Sequence, residues 1–356
     1  VSLALDAIRF AAAFIVFASH LAWRFFGGGV LGPLEPYGGQ AVVVFFVLSG
    51  FVIGHVAASA EPTWRDFAAA RLARLWSVAL PALALTFLLD AIGRAADPAR
   101  YHAMVQYVWD GRWHQALSGA FFLDETWGRE TAIGTALPYW SLGYEAWYYA
   151  IFALAWYPRG AWRWLAVVAA VAAGPRIMAM APLWALGLLL YHATGSLQPK
   201  RVLALPLACA GVLIWCGWVA LAGPDARVAM LGAWFDRPTL AQDYVVAIAF
   251  ALVLLGIVAG TREVERALAP LAGPIRYLAG ATFSLYLVHV PLMMFLLSVL
   301  PWRATDLRTR LLLLVAVPVA ALAFAAVTER RKHAWRRAIT GLFRARSWRV
   351  TDGSLR

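Results

Sequence analysis

Ten apolar windows, most of them about 17 to 23 residues long, divide this 356-residue chain, and that is the length a helix needs to cross the hydrocarbon core of a bilayer. They fall near 5–26, 41–60, 75–92, 137–157, 162–174, 177–194, 202–222, 243–260, 277–299 and 310–328. Inside lipid every backbone polar group must be satisfied within the chain, which leaves helices as the natural choice for segments of this length. The fold class that follows is all-α: a polytopic transmembrane helix bundle of about ten membrane helices. Composition agrees, with 62% hydrophobic and 14% charged residues, more apolar surface than a single soluble core uses. The fifth window is short and adjoins the sixth across Gly174 and Pro175, a helix-breaking pair, so the two form either a tight hairpin or one broken element. There is no internal repeat of the kind that marks the inverted halves of many transporters.

Basic residues set the orientation. The loops after the second, fourth, sixth and eighth windows, with the C-terminal tail, carry nineteen Lys and Arg, against ten in the opposite loops. The first of those opposite loops, GGGVLGPLEPYGGQ, has none. Because cytoplasmic loops collect the excess of Lys and Arg, both termini are expected in the cytoplasm and the 93–136 segment, rich in Trp, Tyr and His, outside it. The net charge of +12 is dispersed over short loops and the tail, which suits a cytoplasmic membrane face better than a nucleic-acid partner. The domain plan is one transmembrane domain over 1–328 and a basic cytoplasmic tail over 329–356. That tail, ERRKHAWRRAITGLFRARSWR, interleaves cations with Trp and Phe as an interfacial helix on anionic lipid does; a plain positive-inside anchor explains it equally well. Cys209 and Cys216 lie about 10 Å apart along one helix, too far to bridge, so packing is their expected role. The chain opens at Val1 without a methionine, which leaves room for a few leading residues. Its first window carries too much polar content for a cleaved signal peptide.

Two ionisable side chains stand inside that first window, LDAIRFAAAFIVFASHL: Arg9 and His20. A charge at the bilayer centre costs roughly 2.5 to 3.5 kcal/mol on insertion scales, so such groups face a polar cavity or a partner. With the orientation above, the helical rise puts His20 about 9 Å inside the outer end of its helix, and Ser49 of VVVFFVLSGF and Glu145 of PYWSLGYEAWYY each about 12 Å below the outer face. His289 of FSLYLVHVP comes out near the midplane. Four polar groups from four helices are therefore expected to share one layer, with Arg9 about 16 Å cytoplasmic of His20 and Arg71 and Arg74 at the cytoplasmic boundary. Singly, each has a plainer explanation. An intramembrane His is commonly packed and hydrogen-bonded, Ser49 before Gly50 marks close helix contact, and Arg71 and Arg74 alone are flanking anchors. Glu145 has the weakest such explanation, since in hydrocarbon it needs a proton or a partner.

At these residues the chain resembles the acyltransferase 3 family of integral membrane acyltransferases, bacterial enzymes that mostly O-acylate cell-surface glycans. LDAIRFAAAFIVFASH is similar to the family's opening signature, an Arg and a His separated by ten residues. FFVLSGF, RLARLW, WSLGYE and FSLYLVH resemble its later blocks in order and spacing, and the resemblance runs from about residue 3 to 330. It implies Arg9 and His20 as essential residues, Arg71 and Arg74 as acyl-donor contacts, and Ser49, Trp140, Ser141 and Glu145 as pore residues. One position departs from the pattern: many members carry an Asp two residues before the paired Phe of the Ser-Gly block, where this chain has Val43. The resemblance also implies a multi-pass protein of the bacterial inner membrane.

The layering suggests a mechanism. Acyl-CoA, with acetyl-CoA the simplest case, is the expected donor substrate, and Arg71, Arg74 and Arg9 offer bidentate forks to its phosphates. The pantetheine arm then brings the thioester toward His20, whose imidazole takes a proton from a glycan hydroxyl or accepts the acyl group itself. Glu145 orients that imidazole if the two helices touch, and His289 joins the pore lining. No permanently bound cofactor and no metal are expected. The competing classes are a transporter or flippase of a glycan or small metabolite, which also tolerates midplane polar groups, and a scaffold, which has no need of Arg9, His20 and Glu145 in hydrocarbon.

Overall fold

The computed structural model describes residues 2–27, 29–104, 106–197, 199–227, 235 and 237–351, and among them there is no strand. In chain order the helices are α1 Ser2–Leu21, α2 Gly38–Ser59, α3 Trp64–Ala96, α4 Pro98–Ala103, α5 Arg112–Ala120, α6 Trp140–Trp156, α7 Trp164–Ala173, α8 Pro175–Leu197, α9 Ala204–Ala222, α10 Leu240–Ala259, α11 Thr261–Leu268, α12 Ala272–Ala279, α13 Thr282–Val299, α14 Leu307–Val327 and α15 Lys332–Thr351. Eight helical stretches among the described residues are long and apolar enough to cross a bilayer. The 17-residue α6 and the shorter apolar stretch Gly160–Ala173 account for the other two windows. The protein is an all-α polytopic bundle.

Local chemistry explains where helices depart from the windows. Helix α3 starts at Trp64 because Thr63 caps it: its Oγ1 accepts from the Asp66 amide at 3.2 Å and donates to Asp66 Oδ2 at 2.6 Å, which occupies an otherwise orphan N–H. The basic run through Arg65, Arg71 and Arg74 is thus helix rather than loop. The ninth window breaks around Gly280 into α12 and α13. Glu329 sits at the new helix start and accepts from the amides of Phe283 (3.3 Å) and Ser284 (2.9 Å), the favoured place for a carboxylate. Between α7 and α8, Gly174 takes φ +90°, and a Cβ there would lie 2.8 Å from the Trp127 amide nitrogen.

Small residues let the central helices touch. A Cβ on Gly50 of α2 would come within 1.9 Å of the Trp184 carbonyl oxygen of α8, and one on Gly187 of α8 within 1.9 Å of the Val47 carbonyl oxygen. Backbones in lipid approach this closely only across glycine or its like. Helix α9 is peripheral and buries only Gly211. Cys209 and Cys216 are free and exposed on it, so the packing role expected of them does not hold: their helix turns them away from the bundle.

Polar contacts sort the helix ends into two faces. On one, the Leu3 amide donates to Glu265 at 3.2 Å, the Tyr157 hydroxyl to the Glu61 carbonyl at 2.7 Å, and Arg201 pairs with Glu263 at 2.6 Å. On the other, Arg310 donates to the Gly27 carbonyl at 2.6 Å, Gln40 to the Pro224 carbonyl at 2.8 Å and Tyr139 to the Gly119 carbonyl at 2.9 Å. The first is the face richer in Lys and Arg. Helix α15 lies along α3 there, with Ile339 against Ala69 and Ala73 and the Phe343 ring 5.9 Å from Trp64. The side chains of Arg344, Arg346 and Arg349, and all of Arg356, lie outside the described residues.

Candidate active site

A narrow cavity of about 70 Å³ runs between α1, α2, α3, α6 and α13, with Arg9, Arg74, Ser49, Ser141, Glu145 and Glu329 on its wall. Helix α6 supplies Ser141 and Glu145 four residues apart, on one helical face. Ser49 Oγ donates to Glu145 Oε1 at 2.9 Å and accepts from Trp184 Nε1 at 3.2 Å; the Tyr149 hydroxyl donates to the same carboxylate oxygen. Ser141 Oγ and the Tyr286 hydroxyl are 2.7 Å apart and tie α6 to α13. Arg74 lies 5.9 Å from the centre of the Phe283 ring and shares the cavity wall with Arg9, Glu145 and Glu329. Two guanidinium groups therefore share one confined space with two carboxylates, an arrangement able to hold an anion between the cations.

One turn along α13 from Tyr286, about 4.5 Å by helical rise, stands a histidine pair. His289 is fully buried, its Nδ1 is 2.9 Å from the Leu285 carbonyl, and its Nε2 is 3.0 Å from His20 Nδ1. His20 Nδ1 is also 2.9 Å from the Val16 carbonyl. A carbonyl oxygen only accepts, so His289 Nδ1 carries the proton and, in the neutral ring, its Nε2 is an acceptor. His20 Nδ1 must then be the donor, sharing its hydrogen between Val16 and His289. The Nε2 of His20 is left with a free lone pair and, among the described residues, no hydrogen-bond partner. The ring is partly exposed and packs against Trp23 at 4.7 Å between centroids.

The expected layer of four polar groups resolves into two pairs, Ser49 with Glu145 and His20 with His289. The expected contact of Glu145 with His20 is absent: α1 packs chiefly on α2, α12 and α13, and His20 turns to His289 on α13. Rise along a helix gives depth but says nothing of which helices are neighbours. Arg71 also differs from the expected donor contact: it is held by Glu61 at 2.6 Å, packs over the rings of Phe67 and Tyr149, and faces a separate apolar groove. Trp140 lies beyond the cavity, with the Arg237 guanidinium 4.9 Å from its ring centre. Val43 is fully buried in the core, so where the family often has a carboxylate this chain has packing. Sequence reasoning missed Glu61, Tyr149, Tyr286 and Glu329. Only Glu329 left a trace, a lone acid directly after an apolar window in a basic tail.

Outside the spanning helices, the loop at 121–136 carries three non-glycine residues in the left-handed region, Phe122, Trp127 and Glu130, conformations that cluster at functional sites. Within it Asp124 is buried, and burial, reinforced by the neighbouring Glu125 charge, holds its carboxyl well above the usual range.

Comparison with known proteins finds no match among curated proteins and none among solved structures. The sequence model of a family described as an acyltransferase domain matches residues 2–330, a span that contains every residue of the cavity and of the histidine pair. The chain belongs to that acyltransferase family, as a polytopic membrane member of it.

Proposed function

We propose that this protein moves an acetyl or other short acyl group from cytoplasmic acyl-CoA to a hydroxyl of an extracytoplasmic or lipid-linked glycan. The observation that carries the reading is the free Nε2 of His20, fixed in that tautomer by His289 and Val16. Arg9 and Arg74 take the phosphates of CoA, for which a guanidinium fork is suited, and the slender pantetheine arm passes from the cavity wall at Tyr286 to the histidines one turn further along α13. His20 Nε2 accepts the proton of the glycan hydroxyl as its oxygen attacks the thioester carbonyl. The tetrahedral intermediate collapses, the C–S bond breaks, and the imidazolium returns the proton to the CoA thiolate. His289 Nε2 faces the Nδ1–H of that imidazolium and stabilises it, the part a carboxylate plays in generalised triads. Glu145 and Glu329 balance the two arginines while the donor site is empty.

Membranes from cells with and without the chain, given acetyl-CoA labelled in the acetyl group, test this. Alkali-labile label in the glycan fraction that depends on the chain is the expected result. Equal label in both, or label only in protein or in lipid that carries no glycan, contradicts it.

A further inference from the structure

On the face opposite the arginines, the loop at 121–136 and the starts of α6 and α8 enclose an open cleft of about 530 Å³, within the range of roughly 300 to 1,000 Å³ typical of small-molecule pockets. Its wall includes Asp124, Glu130, Trp140, Arg176 and Arg237. Both arginines are fixed: Arg237 by Asp243 at 2.9 Å, Arg176 by Glu125 at 3.4 Å and by Glu130. Asp124 stands in that wall only 1% exposed, so the acceptors the cleft presents are the carboxylates of Glu125 and Glu130 that pair with Arg176. The turn Leu137–Tyr139, also part of this wall, packs on α13, the helix of His289.

We propose that this cleft binds a neutral sugar ring of the acceptor glycan. Carboxylate acceptors and planar guanidinium donors converge on one space beside an aromatic face. An anion there meets the carboxylates and a cation meets the arginines. A hydroxyl both donates and accepts, so a polyol satisfies both sets, while the apolar side of its ring rests against the part of Trp140 that Arg237 leaves uncovered. The proposal rests on the acyltransfer reading above and adds the acceptor subsite to it.

Saturation-transfer NMR on the full chain in lipid nanodiscs tests it, with methyl glucoside, methyl galactoside and methyl N-acetylglucosaminide as probes and gluconate and glucosamine as charged controls. The wild type is expected to transfer saturation to the ring protons of at least one neutral glycoside and to neither control. Trp140→Leu and Glu130→Gln are each expected to weaken that binding by about tenfold; Glu130 is exposed, so its variant keeps the fold. No transfer to any glycoside, or equal transfer in wild type and both variants, overturns the proposal. Acetyl-CoA binding measured on the same samples separates the two readings. Donor binding without sugar binding refutes the cleft alone, and sugar binding without donor binding refutes the acyltransfer reading.

Discussion

His20 can act as a base only if its free nitrogen is Nε2, and that depends on a hydrogen held at Nδ1 by two acceptors, the Val16 carbonyl and His289. His289→Ala removes one of them, so turnover is expected to fall by about ten- to a hundredfold, at or below the lower end of the range for a direct acid-base contribution because His289 acts through His20, with the donor KM unchanged. An unchanged rate, or a loss confined to KM, would make His289 a packing residue. The two arginines of RLAR separate in the same way. Arg74 lines the cavity, and losing a charge-assisted hydrogen bond costs about 1.5 to 3 kcal/mol, so Arg74→Ala should raise the acetyl-CoA Kd by ten- to a hundredfold, to about that energy, with Arg74→Lys recovering part. Arg71→Ala instead leaves Glu61, 3% exposed, without its partner. It is expected to cost about 3 kcal/mol of stability with a smaller change in donor affinity; calorimetric titration and thermal unfolding of the two variants check the split.

Helices α2 and α8 hold Ser49 against Trp184, and so in reach of Glu145 on α6, because Gly50 and Gly187 let their backbones meet. Gly50→Ala puts a methyl group 1.9 Å from a backbone oxygen, which no rotamer change relieves, so the helices must separate. A loss of about 1 to 3 kcal/mol is expected, the usual cost of overpacking, read as a lower Tm together with weaker donor binding as Ser49 moves off Glu145. A variant as stable as wild type would mean the contact is looser than described. At this scale the sequence was legible wherever hydropathy alone decides, as for α1, α2, α9 and α10. It was not legible where a single polar group does: the Thr63 cap draws α3 back through the arginines, and Glu329, distant in sequence, starts a new helix at Thr282.

For the whole molecule, membership of the family and the all-α bundle follow from motifs and periodicity, whereas the sharing of one cavity by Arg9 and Arg74 with Ser49, Ser141 and Glu145 does not, since rise along the helices set the arginines in a separate cytoplasmic layer. Which polar groups pair does not follow either, because it depends on helix adjacency, and so His289 rather than Glu145 stands beside His20. Orientation rests on the nineteen-to-ten excess of basic residues. In a chain with Cys209 and Cys216 replaced by Ala, a cysteine at the exposed Gly39 is expected to react with an impermeant thiol reagent in intact cells and one at Ser196 to be protected; the reverse pattern inverts the orientation. The central claim is that His20 drives transfer out of the thioester. Thiol release from acetyl-CoA by the purified protein in nanodiscs, with the methyl glycosides as acceptors, tests it most directly. Release above the buffer rate in wild type and a fall of about 10² to 10⁴-fold in a folded His20→Ala variant are expected; release by that variant at the wild-type rate would contradict it.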